Sequence, residues 1–182
     1  MKSILTAGAA LVLAAVPHVA NAQAWVQAET GVDVVHAEGE TRANIAYGVS
    51  GGYDYQMQGG IFVGAMGSFG DSETRACVSD DGDRACIKTG RDLAALVRLG
   101  TTVGERSKVY LLGGYTNARA IASASVDGTH VEAHKDLDGF RLGAGGQVDL
   151  TSKLFLKAEY RYSNYQYGVS RHQGVVALGV NF

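Results

Sequence analysis

A chain of 182 residues with a formal charge of −2, 25 glycines, one proline and two cysteines carries one domain's worth of sequence. It has no basic excess of the kind that nucleic acid demands. Its longest apolar run, Ile4 to Val16, falls short of the roughly 20 residues a transmembrane helix needs, which excludes a helical membrane protein.

In chain order, the first element is a leader. Met1-Lys2-Ser3 supplies a positive start, Ile4 to Val16 an apolar stretch, and Ala20-Asn21-Ala22 a small-residue cleavage site. Residues 1–22 are therefore expected to be a cleaved signal peptide, and residues 23–182 a single exported domain. Removing Lys2 moves the charge to (16 − 1) − 18 = −3. Pro17 leaves with the leader, while nearly all glycines stay, a composition suited to many consecutive hydrogen-bonded strands.

Eight segments then show period-2 alternation, at 24–35, 45–57, 60–69, 92–100, 108–117, 138–150, 154–163 and 172–182. Their connections alternate between short turns, at 58–59, 101–107 and 151–153, and longer loops, at 36–44, 70–91, 118–137 and 164–171. Short turns on one rim and long loops on the other are the arrangement of an outer-membrane barrel with both termini on the periplasmic side. The expected fold is thus all-β, an eight-stranded antiparallel up-and-down transmembrane barrel.

The two faces separate by chemistry. One carries Val26, Val32, Ile45, Tyr47, Val49, Leu99, Leu142, Leu156 and Tyr160 with no charge among them. The other carries Glu29, Asp33, Asp54, Arg98, Arg141, Lys157, Glu159 and Arg161, four acids against four bases, set among small residues such as Gly48, Ser50, Gly143 and Gly145. In a membrane barrel the apolar face meets lipid and the charges line the lumen; tyrosines at strand ends, including Tyr53, Tyr55, Tyr160 and Tyr162, fit interfacial girdles. The third and fifth segments carry apolar residues on both faces, Ile61/Val63 against Phe62/Met66 and Val109/Leu111 against Tyr110/Leu112, and their facing stays open.

The last segment ends on Val176, Leu178, Val180 and Phe182 along one face. This resembles the C-terminal signal by which bacterial outer-membrane proteins are recognised for insertion, and it implies the barrel-assembly machinery as a partner. The run Gly139 to Tyr165, with Glu159-Tyr160-Arg161-Tyr162 its most distinctive piece, then Arg171-His172 and the terminal Phe182, resembles the small porin-like or opacity-type outer-membrane β-barrel proteins of proteobacteria. The resemblance implies an eight-stranded barrel in contact with outer-membrane lipid and lipopolysaccharide, with an extracellular partner met through surface loops. It implies no catalytic residue, and no cofactor is expected.

An eight-stranded barrel has a lumen just wide enough for side chains to fill. The eight inward charges are expected to pair across it, Glu159 and Arg161 among them, because isolated buried charges are costly. The resulting function is structural and surface-interactive; the alternatives are a narrow channel for ions or small solutes and a secreted soluble barrel binding an apolar ligand. Cys77 and Cys86, both in the 70–91 connection, are expected to form an intraloop disulfide in an oxidising compartment. Asp80, Asp81 and Asp83 between them lack EF-hand spacing and read as a solvated acidic loop. His130, Glu132 and His134 share a face if 120–137 extends a hairpin around Asp127-Gly128, yet without a fourth ligand no metal is assigned. His172 with Glu159 or Ser163 is the only late-strand combination of the Ser-His-acid kind, and His172 reads instead as a rim residue.

Overall fold

The computed structural model describes residues 22–37, 40–72, 75–80, 83–126 and 129–182; the signal-peptide expectation for residues 1–22 falls outside them apart from Ala22. Nine strands follow in order: β1 (Ala22–Ala37), β2 (Glu40–Gln56), β3 (Ile61–Ser72), β4 (Arg75–Asp80), β5 (Asp83–Val103), β6 (Ser107–Val126), β7 (Thr129–Asp149), β8 (Leu154–Tyr165) and β9 (Ser170–Asn181). Each pairs antiparallel with its neighbours, and β1 pairs β9 from Trp25↔Asn181 to His36↔Ser170. β3 and β4 both lie against β5, β3 from Ile61↔Thr101 to Gly70↔Asp92 and β4 from Arg75↔Lys88 to Asp80↔Asp83, so the two form successive pieces of one stave. The result is a closed eight-stave barrel, which leaves no open edge at membrane depth.

The facing is that of a membrane protein. Outward Val32, Leu99 and Leu111 are 56%, 56% and 65% exposed, while inward Arg98 and Arg161 are 0% and 2% exposed. That inversion is incompatible with a barrel dissolved in water, where the apolar face would be the core. The two undecided strands resolve: Phe62, Met66, Tyr110 and Leu112 point in, and Ile61, Val109 and Leu111 point out.

The sequence expectation is corrected at the long-loop rim. Most of 70–91 and 118–137 is not loop but strand, because β4, β5, β6 and β7 stay paired well beyond the barrel, up to Asp80↔Asp83, Arg84↔Ser125 and Val126↔Thr129. β6 runs ten residues past lumen-facing Thr116 to Val126, about 30 Å at roughly 3.3 Å per residue. β1, by contrast, runs four residues past Asp33, from 33 to 37. One side of the barrel therefore carries a tall four-stranded blade. A one-residue register shift between Thr89 and Asp92 marks where β5 leaves the barrel wall, the place where a bulge re-aims a strand. The connection at 36–44 is likewise mostly strand, paired as far as Ala37↔Glu40, and that at 164–171 is half strand, broken by a single 3-10 turn at Gln166–Gly168.

Candidate functional site

The lumen is built in three layers because alternation sends every second residue of eight staves to one narrow axis. Nearest the long-hairpin rim, Arg171 clasps Asp33 through Nε–Oδ1 at 2.6 Å and Nη2–Oδ2 at 2.8 Å, and its Nη1 donates to Asp92 Oδ2 at 2.7 Å. Arg141 Nη2 donates to the same Asp92 oxygen at 2.6 Å, and its Nε to Ser163 Oγ at 2.8 Å. Thr116 Oγ1 donates to the other Asp92 oxygen at 3.1 Å. Two guanidiniums and two carboxylates thus neutralise each other from β1, β5, β7 and β9.

In the middle layer Arg161 sits between two carboxylates. Its Nη1 and Nη2 donate to Glu29 at 2.6 and 2.9 Å, and its Nε to Glu159 at 2.7 Å. Gln27 and Ser50 each donate to Glu29 Oε2 at 2.9 Å, and Tyr110 donates its phenol to Glu159 Oε1 at 2.6 Å. Charge-assisted bonds to both oxygens of each acid are what make burial of a −1 group tolerable. Between these two layers lies a cavity of about 20 Å³, lined among others by Glu29, Ser68, Asp92, Arg161, Arg171 and Gln173. That is room for one or so water molecules, not a passage.

The floor, toward the short-turn rim, uses different chemistry. Trp25, Phe62, Met66, Leu96, Tyr110, Leu112 and Phe155 form one apolar cluster inside the barrel. Arg98 donates from one nitrogen to both oxygens of Asp54 at 3.1 Å, and its guanidinium lies 4.0 Å from the centroid of Tyr110 and 4.8 Å from that of Trp25. Lys157 Nζ has no hydrogen-bond partner and lies 3.7 Å from the Trp25 centroid and 5.0 Å from that of Phe155. Aromatic faces stand in for carboxylates here. The rings fit because glycines face them from the next strand: a Cβ on Gly52 would lie 2.6 Å from Trp25 Cζ2, and one on Gly145 2.7 Å from the Tyr110 oxygen.

All eight charges singled out in the sequence face this lumen. The structure brings Glu159 and Arg161 together with Glu29, Arg98 with Asp54, and Asp33 and Arg141 into a shared cluster, and it leaves Lys157 on rings alone. Sequence reasoning missed Asp92 and Arg171, which hold the top layer, and Lys108, whose Nζ donates to Gln23 Oε1 at 2.8 Å. It also read the lumen as charges among small residues and so missed the aromatic floor. His172 points outward while Glu159 and Ser163 point inward, so the strand itself keeps that trio apart.

On the blade, backbone register sets Cys77 opposite Cys86. Their side chains, like those of Asp80, Asp83, His130 and Glu132, lie outside the described residues, as does all of Asp81. By backbone register, positions 118, 120, 122 and 124 of β6 pair with 137, 135, 133 and 131 of β7, and seven of these eight residues are Ala, Leu or Val. The opposite face carries Arg119, which donates to Asp136 at 2.8 and 3.1 Å and holds that carboxyl below the usual carboxylate range. The C-terminal residues Val176, Leu178, Val180 and Phe182 face outward, and the Phe182 amide donates to Ala24 O at 2.9 Å across the closing β1–β9 seam.

A family model for the outer membrane protein beta-barrel domain matches residues 6–182. In sequence the chain is 29% identical over 132 residues to the 31 kDa outer-membrane immunogenic protein of Brucella melitensis biotype 1, covering 68% of this chain and 55% of that protein. The corresponding protein of Brucella suis biovar 1 matches to the same extent, and the chain spans about half the length of these curated relatives. In structure it is similar to Ail, the attachment invasion locus protein of Yersinia pestis in complex with the heparin analogue sucrose octasulfate, at a TM-score of 0.64 and 16% identity, covering 89% of this chain and 99% of that one. Neisserial surface protein A is similar at a TM-score of 0.60 and 15% identity, covering 87% and 97%. At these identities the likeness to solved structures is one of fold.

Proposed function

The chain belongs to the outer membrane protein beta-barrel domain family and is a protein of the bacterial outer membrane, and from that premise we propose that its barrel is a sealed anchor serving the blade above it. The observation that carries this is the lumen: buried charge pairs and aromatic rings fill it in three layers, and the cavity between the upper two is water-sized, where a pore needs a continuous path. With the lumen closed, what remains to act is the surface. On the same reading residues 1–22 are removed on export, residues 23–182 form the barrel, and Val176, Leu178, Val180 and Phe182 present the closing strand to the assembly machinery. Outer-membrane lipid and lipopolysaccharide surround the apolar band.

The blade is the interaction element. Its sheet order ends on β4, and β8 meets β7 only from Gly139 onward, so above the barrel the blade has two edges to offer. Among the described residues its outer face mixes signs, Arg91 and Arg119 with Asp136 and Asp138, which offers a polyanion such as the heparin analogue held by Ail no uniform basic field there. A protein partner, met by pairing with these strand edges, fits better. No catalytic step enters this reading.

The test is electrical. The full-length protein, extracted in detergent and inserted into planar bilayers, is expected to give no steady single-channel current, whereas well-resolved unitary conductance would overturn the sealed-anchor reading.

A further inference from the structure

Two histidines on the lipid-facing side of the barrel are arranged in a way that neither the sealed lumen nor the blade requires. His36 and His172 sit at the upper margin of the apolar band, on neighbouring strands β1 and β9, in diagonal register: His172 is opposite Val34, and His36 opposite Ser170. Their rings are 5.4 Å apart between centroids and nearly perpendicular, at 89°.

Each ring is held by a hydroxyl through its Nδ1. His36 Nδ1 is 2.8 Å from Thr41 Oγ1, and His172 Nδ1 is 2.6 Å from the Tyr160 phenol. The strand order decides which way the rings turn. Thr41 lies on β2, on the far side of β1 from β9, and Tyr160 lies on β8, on the far side of β9 from β1. The row therefore runs hydroxyl, His36, His172, hydroxyl, and with the Nδ1 edges held apart, the opposite edge of each imidazole, its Cδ2–Nε2 side, is the one left nearest its partner.

That is the tautomer control metal sites use. A hydroxyl accepting from Nδ1–H leaves the Nε2 lone pair to a metal and fixes the ring's orientation. Two imidazoles bound at roughly 2.0–2.1 Å to one tetrahedral ion put their ring centroids about 5 Å apart, close to the observed spacing. We propose that His36 and His172 form a two-histidine site for a zinc-class divalent cation at the outer leaflet. Imidazole selects Zn²⁺, Cu²⁺ or Ni²⁺ over the oxygen-seeking Ca²⁺ and Mg²⁺. Among the described residues no third His, Cys, Asp or Glu joins the pair, so water or lipid oxygens complete the shell. Tyr162, with its ring 5.0 Å from that of His172, walls the site on one side.

The experiment uses the full-length protein extracted in detergent, stripped with chelator and titrated with Zn²⁺ alone by calorimetry, with the thermal midpoint read in parallel. Wild type is expected to bind one Zn²⁺ per pair with a rise in midpoint. His36→Gln and His172→Gln, each on its own strand and each checked for heat-modifiable migration as a folded barrel, are expected to weaken binding at least tenfold. His130→Gln/His134→Gln is expected to bind as wild type does. Tyr160→Phe is expected to weaken binding by about 10- to 100-fold while leaving both ligands in place. The proposal is overturned if wild type shows no zinc-dependent heat or midpoint shift, if both single histidine variants bind unchanged, or if binding follows His130 and His134 instead.

Discussion

The two ends of the lumen close the same hole with different chemistry. Toward the hairpins, Arg141 and Arg171 face Asp33 and Asp92, every cation finds a carboxylate, and the cluster spans four strands. Toward the short turns, Arg98 alone holds a carboxylate, Asp54, Lys157 bonds to none, and both cations rest on the faces of Trp25 and Tyr110, with Phe155 beneath Lys157. Carboxylate pairing fixes positions by directional bonds but leaves each partner dependent on the other; ring stacking is softer and leaves no orphan of opposite sign when the cation goes. Apart from the Arg98–Asp54 pair, the upper and middle layers are therefore the places where a single substitution exposes the barrel to an uncompensated buried charge. The floor is where volume counts.

The largest expected effect tests the first half of that contrast. Arg161→Ala removes the cation between Glu29 and Glu159, both held almost wholly out of solvent, and leaves two acids facing one another across the lumen. Breaking a buried pair by deleting one partner costs about 3–5 kcal/mol, less where water follows into the gap. Thermal or urea unfolding in detergent should show a loss of that order. A variant as stable as wild type would mean the middle layer is hydrated enough to screen its acids, and the contrast between the layers would collapse.

A smaller effect probes the floor through volume alone. A Cβ on Gly52 would stand 2.6 Å from Trp25 Cζ2 and 2.5 Å from the carbonyl oxygen of Ala65, so the indole and a neighbouring strand would both have to shift. Overpacking of this kind costs about 1–3 kcal/mol. Gly52→Ala should therefore destabilise measurably with no change of charge. An unchanged unfolding midpoint would show the floor to be loosely packed, with room beside the indole that a glycine is not needed to provide.

How much of this is legible in the sequence follows from where alternation is clean. On β1, on β8 and on β7 from Gly139 onward one face is free of charge and the other is not, so Glu29, Asp33, Arg141, Lys157, Glu159 and Arg161 fall to the lumen directly. Arg171 escapes because the last alternating segment begins at His172; one residue more, and its parity with Gln173 and Val175 places it inside. Asp92 shares parity with Arg98 across 94 and 96 and is legible by the same rule. The aromatic floor is not, because Phe62 and Tyr110 alternate with apolar residues on both faces, and nothing in period 2 tells a lumen ring from a girdle ring. The blade is hidden for a related reason: Ala118, Ala120, Ala122 and Ala124 alternate faithfully, but small residues over polar ones resemble a loop. The histidine pair needs tertiary knowledge altogether, since β1 and β9 are far apart in sequence and meet only when the barrel closes.

The smallest expected effect is also the one that separates the two chemistries most sharply. Lys157 is buried, yet its Nζ makes no hydrogen bond, and the charge is balanced only by ring faces and by acids committed elsewhere. Replacing it with a flexible apolar chain of similar length keeps the packing against Trp25 and Phe155 and removes the need to hold an ammonium out of water. No carboxylate loses its bonded partner, because Asp54 keeps Arg98 and Glu159 keeps Arg161 and Tyr110. Lys157→Met should therefore leave stability unchanged or raise it, in contrast to Arg171→Met, which strips Asp33 of both its bonds and should cost about 3–5 kcal/mol. Parallel unfolding of the two methionine variants decides the matter. If Lys157→Met falls as far as Arg171→Met, the cation at the floor is held by more than the rings, and the division of the lumen into a paired half and a stacked half fails.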